Sequence, residues 1–580
     1  PDKYPIGTEF PAGTRIEHRR SLDKVQRDLR EIGGVSVLIY DQTCAAEKRR
    51  RRKRGRMADP SRRVFINSRV CEGCGDCNAK SNCMSVLPHD TAFGRKRRID
   101  QSACNKDYSC AEGFCPSFVS VIGGRPRRAA AMAVAPGDLP EPALATLADD
   151  RPFNLLVAGV GGTGVVTIGA ILTMGAHIEG KAFSTVDQFG MAQKGGAVTS
   201  HIRIASSPEA IRAVRLNAGA ADLVLGCDSL VTGDALALSV MAPGKTHVLV
   251  NTHEQITGEF TRNPDLAFPA ETLAARIGEA AGDNVVFQDV SRLATRLLGD
   301  SIGSNLMLLG VAYQMGLLPV GADAIQQAIE LNGVAVKMNR DAFAWGRRLA
   351  LDPDAVAALV EDAPEPNPDW HAELTAYQND ALADRHAALV EKVRTAEAQK
   401  APGMSGLADA VARNAYRLMA YKDEYEVARL HSDPAFHARL REAFEGNYSL
   451  AFHLAPPLLA SRDTDTGRPR KLTFGPWMQT AFRLLAKLKG LRGTPFDPFG
   501  HTAERRRERA AIGEYEATVV VLLDGLTPES HALAVEIASL PSEVRGYGHV
   551  KQAADEAVRT IEADLLAVYR DPTKRAVAAE

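Results

Sequence analysis

Seven of the nine cysteines in this 580-residue chain fall between Cys71 and Cys115. The first group reads Cys71-Glu-Gly-Cys74-Gly-Asp-Cys77, followed by Cys83; the second comprises Cys104, Cys110 and Cys115-Pro116. Three thiolates at two-residue gaps wrap three corners of an iron–sulfur cube, and a distant Cys-Pro supplies the remaining one. A segment of this kind folds around an inorganic core and moves single electrons. Zinc is the main rival: it takes four ligands, usually two separated Cys-x-x-Cys pairs or cysteines mixed with histidines. Here the first group is a triplet, and His89 is the one imidazole nearby. Disulfides are a weaker rival, since the sequence shows no secretory cue.

In bacterial two-cluster runs the last cysteine of each group serves the other group's cluster. Applied here, Cys71, Cys74, Cys77 and Cys115 form one site, and Cys83, Cys104 and Cys110 belong to a second. The second site is one thiolate short, and Asp107 occupies the missing position in Cys104-Asn-Lys-Asp107-Tyr-Ser-Cys110. A carboxylate is a harder donor that holds a thiolate-preferring metal less well. The second site is therefore an Asp107-ligated 4Fe–4S cluster, a three-iron cluster or vacant. The alternative is that Asp107 is a solvated loop residue.

The formal net charge of −1 hides local asymmetry. A basic run at 48–54 (Lys-Arg-Arg-Arg-Arg-Lys-Arg) precedes the cysteines, with smaller clusters at Arg62-Arg63 and 95–98. Such runs serve nucleic-acid binding or localisation. Leading straight into the cysteine segment, this one is read instead as an offset for anionic clusters and a steering surface for an acidic redox partner. A solvated basic loop is the bland alternative. No stretch approaches the length needed to span a bilayer. The expectation is a cytoplasmic protein with no membrane and no nucleic-acid partner. The chain opens at Pro1 without a methionine and is read as part of something longer.

The fold class expected is multidomain α/β. Residues 1–60 hold one helical pattern, then Gly33-Gly34 and an apolar run at 35–40 (Val-Ser-Val-Leu-Ile-Tyr) that reads as a buried parallel strand. The cysteine segment occupies 61–125, and an Ala- and Pro-rich linker follows at 126–150. At 155–166 the sequence Leu-Leu-Val-Ala-Gly159-Val-Gly161-Gly162-Thr163-Gly164-Val-Val is a strand, a Gly turn and a helix start. Its Gly-x-Gly-x-x-Gly spacing suits a diphosphate at a helix N-terminus, and Asp187 stands where an NAD ribose ligand would sit. Tight strand–helix packing alone also explains these glycines. Further strands are expected at 181–186, 197–204, 223–225, 247–250 and 285–287, alternating with helices in a doubly wound parallel sheet over 151–350. A second loop carries Lys194-Gly195-Gly196, which either grips an anion or simply opens the next strand. Cys227 reads as a buried small hydrophobe. Residues 351–400 are a linker with helices, and 401–580 reads as mainly helical, with 519–523 a short strand or buried helix and the glycines of 545–551 supplying turns.

Taken together, 71–77, 104–116, 157–166 and 189–201 resemble the indolepyruvate ferredoxin oxidoreductase family, the long fused bacterial form of the thiamine-diphosphate 2-oxoacid:ferredoxin oxidoreductases. The stretch from Ile39, including Cys44, resembles the end of that family's thiamine-binding domain. The resemblance covers nearly the whole chain and is strongest from 35 to 205. It implies oxidative decarboxylation of an arylpyruvate to acyl-CoA and CO₂, with electrons passing through Fe–S clusters to ferredoxin. It also implies 4Fe–4S clusters (one or two), thiamine diphosphate with Mg²⁺, and coenzyme A as co-substrate. On this chain it places the relay between Cys71 and Cys115 and a gamma-type domain at 151–350. Gly159, Gly161, Gly162, Thr163, Gly164, Lys194, Gly195 and Gly196 are its candidate ligand contacts. A homo-oligomer of the full-length chain is expected.

Residues 1–60 contain no Gly-Asp-Gly motif with a downstream Asn, so most of the thiamine site is expected outside this sequence, and the chain alone is not expected to decarboxylate a 2-oxoacid. Catalytic residues are not assigned. The alternative function is a non-catalytic Fe–S electron-transfer module or NAD-linked subunit of another redox complex.

Overall fold

The computed structural model describes residues 4–571 except 6, 128–131, 133, 134, 191–195, 362–366 and 457–468. The chain divides into two compact units, Pro1–Asp59 and Pro60–Glu580. The first holds the helices Leu22–Arg30 and Ala45–Lys53; the basic run forms most of the second helix, where Arg50 and Arg51 pair with Glu47. The run at 35–40 is not the expected strand: it has no ladder partner among the described residues, and Val35, Val37 and Ile39 are exposed. An apolar run becomes a strand only when neighbouring strands take its amide and carbonyl groups.

In the second unit the cysteine segment is framed by short strands. Strand β1 (Arg62–Ile66) pairs antiparallel with β4 (Phe118–Ile122), and β2 (Val86–His89) with β3 (Lys96–Ile99). Val64, Ile66, Val86 and Phe118 share a core with Cys71, Cys77 and Cys110. The two-residue β5 (Arg125–Pro126) follows. The described part of the expected linker from 135 to 150 is irregular and lies along the next domain, where Arg347 donates to the carbonyl oxygens of Leu139 and Pro140, each at 3.0 Å.

The α/β domain is built on β6 (Phe153–Val160), apolar on both faces and hence central. Leu155 and Val157 pack into one core with the helices Val165–Ile178 and Ser304–Gln314, while Leu156, Ala158 and Val160 pack into another on the opposite face. The other strands are β7 (Ala182–Phe189), β8 (Ala197–Ala205), β9 (Leu223–Gly226), β10 (His247–Asn251) and β11 (Val285–Gln288), in the order β11-β10-β9-β6-β8-β7. The sheet is mixed where a parallel one was expected. Strands β6, β9, β10 and β11 are parallel, but β8 runs antiparallel to both β6 and β7. The short loop after β7 allows a direct reversal, whereas a parallel return needs a crossover of a dozen residues or more.

The C-terminal region is helical over most of its length. Leu407, Val411 and Ala415 of helix Leu407–Met419 are buried against Val519 and Leu522 of helix Ala503–Asp524, so 519–523 is a buried helix segment. It also supplies three strands: β12 (Phe444–Glu445), β13 (Ser449–Leu454) and β14 (Leu472–Phe474). Strand β13 pairs with β4, giving a four-stranded sheet in the order β1-β4-β13-β14, and β12 pairs with β5 in a separate two-stranded sheet. The cysteine segment and the C-terminal region therefore share one sheet. Among the described residues no helix is long and apolar enough to cross a membrane.

Candidate functional site: two thiol sets and a glycine turn

Cys71 and Cys74 come from one loop, Cys77 from the short helix Asp76–Ser81 that continues it and Cys115 from another loop, and the four line a single small cavity walled by Ile66, Phe118 and Arg97. The loop between them is shaped by glycine. Gly73 and Gly75 hold φ of 74° and 77°, and a Cβ on Gly73 would collide with the carbonyl oxygen of Arg95. Asp76 joins the two loops by accepting the amide of Phe114 at 2.6 Å. Burial and mutual repulsion with Cys115 and Cys71 push the Cys74 thiol up to about 12 and raise Cys77 well above the usual thiol range. Buried thiols that resist ionisation, as Cys74, Cys77 and Cys115 do, are stable as thiolates only when a cationic centre sits among them.

Cys83, Cys104 and Cys110 form the second set, and Asp107 lies within electrostatic reach of Cys104 and Cys110. Burial, then Cys104 and Cys83, push Cys110 up to about 12. Asp107 is exposed, and its Oδ1 accepts from the amide and hydroxyl of Ser109 at 3.3 and 3.0 Å. Lys106 and Tyr108 on either side of it, and Asn82 before Cys83, have φ of 54°, 66° and 47°. Non-glycine residues held in this region carry strain that the surroundings must impose, and such strain gathers at ligand-holding loops.

Sulfurs of both sets accept amides from two residues ahead. Gly73 N–H donates to Cys71, Ser85 to Cys83 and Lys106 to Cys104, each at 3.4 Å. The amides of Asp76 and Ser117 likewise favour the thiolates of Cys74 and Cys115. Such bonds stabilise negative sulfur and are among the factors that set the potential of a bound cluster. Cations add to them. Arg97, almost fully buried, faces Cys71 and Cys77, and its Nε has no hydrogen-bond partner. Lys471 Nζ donates to the carbonyl oxygens of Ala111 and Gly113 at 2.9 and 2.6 Å and faces Cys115 and Cys77. A donor set of this kind, with an unpaired guanidinium nitrogen beside it, fits an anionic iron–sulfur group. Among the described residues no group of three or more His, Cys, Asp or Glu side chains is arranged to hold a metal ion. A cube spreads its ligand sulfurs wider than one ion does.

Several C-terminal residues that seat the cysteine loops carry no metal-site signal in the sequence. Tyr547 is buried and donates to the carbonyl oxygen of Val70 at 2.6 Å, and His549 packs on Phe114. Gly548 has φ of 52°, and a Cβ there would strike Phe114 at 2.6 Å. The glycines of 545–551 were legible as turn formers, but not their docking surface. His431 bonds the carbonyl oxygen of Pro116 at 2.9 Å, and burial among aromatic rings lowers its pKa to about 4.

The glycine turn is only partly open to a ligand. Gly159 is required by packing, since a Cβ there would lie 2.7 Å from Cys227 Cβ. The Gly161 amide is spent on the carbonyl oxygen of Gly196 at 2.8 Å, which ties the two Gly loops together, and Thr163 turns back on Val160. Gly162 and Gly164 hold φ of 92° and 107°, and the helix Val165–Ile178 begins directly after them. Gly196 immediately precedes β8, whereas Lys194 and Gly195 lie outside the described residues. Asp187 does not match a ribose ligand: it is on the edge strand β7, two strands from β6, and accepts from Ser200 at 2.5 Å. In a dinucleotide site the acidic residue lies on a strand beside the glycine-turn strand. Cys227 is buried, as expected for a small hydrophobe.

Residues 154–349 match the pyruvate ferredoxin/flavodoxin oxidoreductase family, and 369–564 match a family of unknown function (DUF6537). The chain is 26% identical over 208 residues to the indolepyruvate oxidoreductase subunit IorB of Archaeoglobus fulgidus, a match covering 35% of this chain and 99% of that one. It is 25% identical over 206 residues to the same subunit of Pyrococcus horikoshii, covering 35% and 98%. Among solved structures it is similar to the pyruvate oxidoreductase subunit PORC of Thermotoga maritima (21% identity, TM-score 0.25, 34% of this chain and 96% of that one). A keto/oxoacid ferredoxin oxidoreductase gamma subunit from Geobacter sulfurreducens also matches (20% identity, TM-score 0.25, 34% and 98%). The relatives mark a 2-oxoacid:ferredoxin oxidoreductase-type subunit, with residues 154–349 matching the pyruvate ferredoxin/flavodoxin oxidoreductase family and similar to the indolepyruvate oxidoreductase subunits.

Proposed function

We propose that this chain is the electron-carrying part of an arylpyruvate (indolepyruvate) ferredoxin oxidoreductase. That enzyme converts a 2-oxoacid to acyl-CoA and CO₂ and passes the electrons to ferredoxin. The observation that carries the reading is the convergence of Cys71, Cys74, Cys77 and Cys115 from two separate loops on one cavity bordered by buried Arg97. When bound there, an iron–sulfur cube accepts and releases single electrons. The chain's residues hold the sulfurs, donate amides to them, offset their charge through Arg97 and Lys471, and keep water out with Ile66 and Phe118. Cys83, Cys104, Cys110 and Asp107 hold the second cluster. With Asp107 exposed, that set faces the ferredoxin acceptor.

The domain at 151–350 assists coenzyme A and thiamine diphosphate, with Gly162, Gly164 and Gly196 as its remaining contacts. Thiamine diphosphate and Mg²⁺ sit mainly on the domain whose end residues 1–60 resemble. The full-length chain works as a cytoplasmic homo-oligomer.

Iron and sulfide content with low-temperature EPR tests this on the anaerobically reconstituted chain. About eight irons per chain are expected from two cubes of four. Cys115→Ser is expected to remove or alter the signal of one cluster and leave the other, and Asp107→Cys to change the second signal alone. Zinc in place of iron and sulfide would overturn the relay; four irons, unchanged in Asp107→Cys, would overturn the role of Asp107.

A further inference from the structure

The connection between β10 and helix Ala270–Ala281 runs from 252 to 269 and holds a single 3₁₀ turn, Gly258–Thr261. Strand-to-helix connections in such domains usually take about 2–6 residues, and one of this length marks a segment with a function of its own. It leaves the sheet at the C-terminal end of a parallel strand, the same edge that carries the glycine turn after β6. From there it reaches the cysteine segment.

Its contacts fall on both thiol sets. Arg97 Nη2 donates to the carbonyl oxygen of Pro264 at 2.9 Å, and Arg95 Nη1 to that of Leu266 at 3.3 Å. The buried Phe260 ring lies under both guanidinium groups, its centroid 4.9 Å from Arg97 and 5.6 Å from Arg95. The Pro264 ring closes on Gly75, between Cys74 and Cys77, where a Cβ would lie 2.6 Å from Pro264 Cβ. At the second set, buried Thr261 shares its hydroxyl proton between the carboxamide oxygen of Asn82 and the carbonyl oxygen of Gly258, each at 2.7 Å. Asn82 is the left-handed residue directly before Cys83. Asp265 pairs with Arg545, which ties the loop to the C-terminal region as well.

We propose that Thr261 and Pro264 are positioning residues of the electron relay, each acting on a different cluster. The inference rests on the iron–sulfur reading of the cysteines and gives the α/β domain a part in holding them. Asn82 stands in a backbone region that side-chain-bearing residues rarely adopt. A bond from outside its own loop holds it there and so sets the direction of Cys83. Pro264 has a fixed φ and presents a stiff edge. Its carbonyl oxygen orients Arg97, which faces Cys71 and Cys77, and its ring limits the swing of Gly75. Releasing either grip admits water to the cluster concerned, and solvent exposure is among the factors that set a cluster's potential. Water favours the more anionic, reduced form.

An EPR-monitored redox titration of the reconstituted full chain tests the proposal, with hydrogen exchange as a readout that needs no cluster signal. Thr261→Val keeps the side-chain shape and removes the hydroxyl. It is expected to shift the second cluster's one-electron equilibrium at least threefold toward the reduced form and to leave the first unchanged. Pro264→Ala is expected to shift the first cluster by a similar factor and spare the second. Thr261→Ser, which retains the hydroxyl, should keep the wild-type value. Amides of 80–85 should exchange at least threefold faster in Thr261→Val, and those of 73–77 in Pro264→Ala, with the thermal midpoint of the chain unchanged. Should Thr261→Val fail to fold, Asn82→Gly removes the same bond from the other side without backbone strain, and the same second-cluster shift is expected. Iron and sulfide absent from the wild type would overturn the relay and this role with it, and absence of the second cluster alone would overturn the role of Thr261. Both clusters present, with potentials and exchange unchanged in the variants, would overturn the positioning role and leave the relay standing. Equal shifts of both clusters in either variant would overturn it too, as the mark of a general loss of packing.

Discussion

Lys471 and Arg97 bring positive charge against the first thiol set from opposite ends of the sequence. Lys471 is anchored by two carbonyl oxygens of the Cys110–Cys115 loop, and burial lowers its pKa while Cys115 and Cys77 raise it. An ammonium fixed there favours the more anionic, reduced form of a cluster. Lys471→Met keeps the aliphatic stem and removes the charge. The first cluster's midpoint potential is expected to fall by about 59 mV, a tenfold change in a one-electron equilibrium. An EPR-monitored redox titration checks this, with the second cluster's potential as the internal reference. Asp107 shows how a residue type can be legible while its role is not. It stands at the position of a missing thiolate, yet one carboxylate oxygen already serves the Ser109 turn.

At the scale of elements, the α/β domain depends on how closely its helices approach. Helix Ser304–Gln314 crosses helix Val336–Leu351 at a glycine contact: a Cβ on Gly310 would collide with the Phe343 carbonyl oxygen, and one on Gly346 with that of Met307. Both glycines lie in helix interiors, where Ala is otherwise preferred. Gly346→Ala is nevertheless expected to destabilise by about 1–3 kcal/mol through overpacking, read as a lowered midpoint in thermal or denaturant unfolding. An exposed helix glycine such as Gly513, with nothing near its Cβ position, should tolerate or gain from the same change. The run at 35–40 teaches the complementary lesson: apolar composition suits a strand, but pairing partners decide whether one forms.

Across the whole molecule, the cysteine segment is held by residues far from it in sequence. Strand β13 extends the sheet that carries β1 and β4, and Phe452 within it is fully buried against Phe482 and His431. His431 in turn bonds the carbonyl oxygen of Pro116, next to Cys115. Phe452→Ala is expected to cost about 3–5 kcal/mol. It should also lower iron retention during gel filtration, although no potential ligand has been touched. Loss of stability with iron fully retained would show that the cysteine loops stand independently of the C-terminal sheet.

Spacing in the sequence made the local chemistry legible. The gaps between the cysteines carry the division into Cys71, Cys74, Cys77 and Cys115 against Cys83, Cys104 and Cys110, because a ligand loop and its turn glycines span only a few residues. Apolar runs likewise located the strands of the α/β sheet, since burial on both faces leaves a continuous trace. The direction of β8, the engagement of the Gly161 amide by Gly196 and the bond from Ser200 to Asp187 left no such trace, because they depend on which strands become neighbours. The capping of the cysteine loops by Lys471, Tyr547 and His431 was equally hidden. The Lys471 contact to Ala111 joins positions 360 residues apart, and a pairing at that distance imposes no periodicity on either segment. The sequence by itself determined where the thiols can gather, because their spacing is local; only the tertiary structure decided which buried cations and aromatic rings surround them.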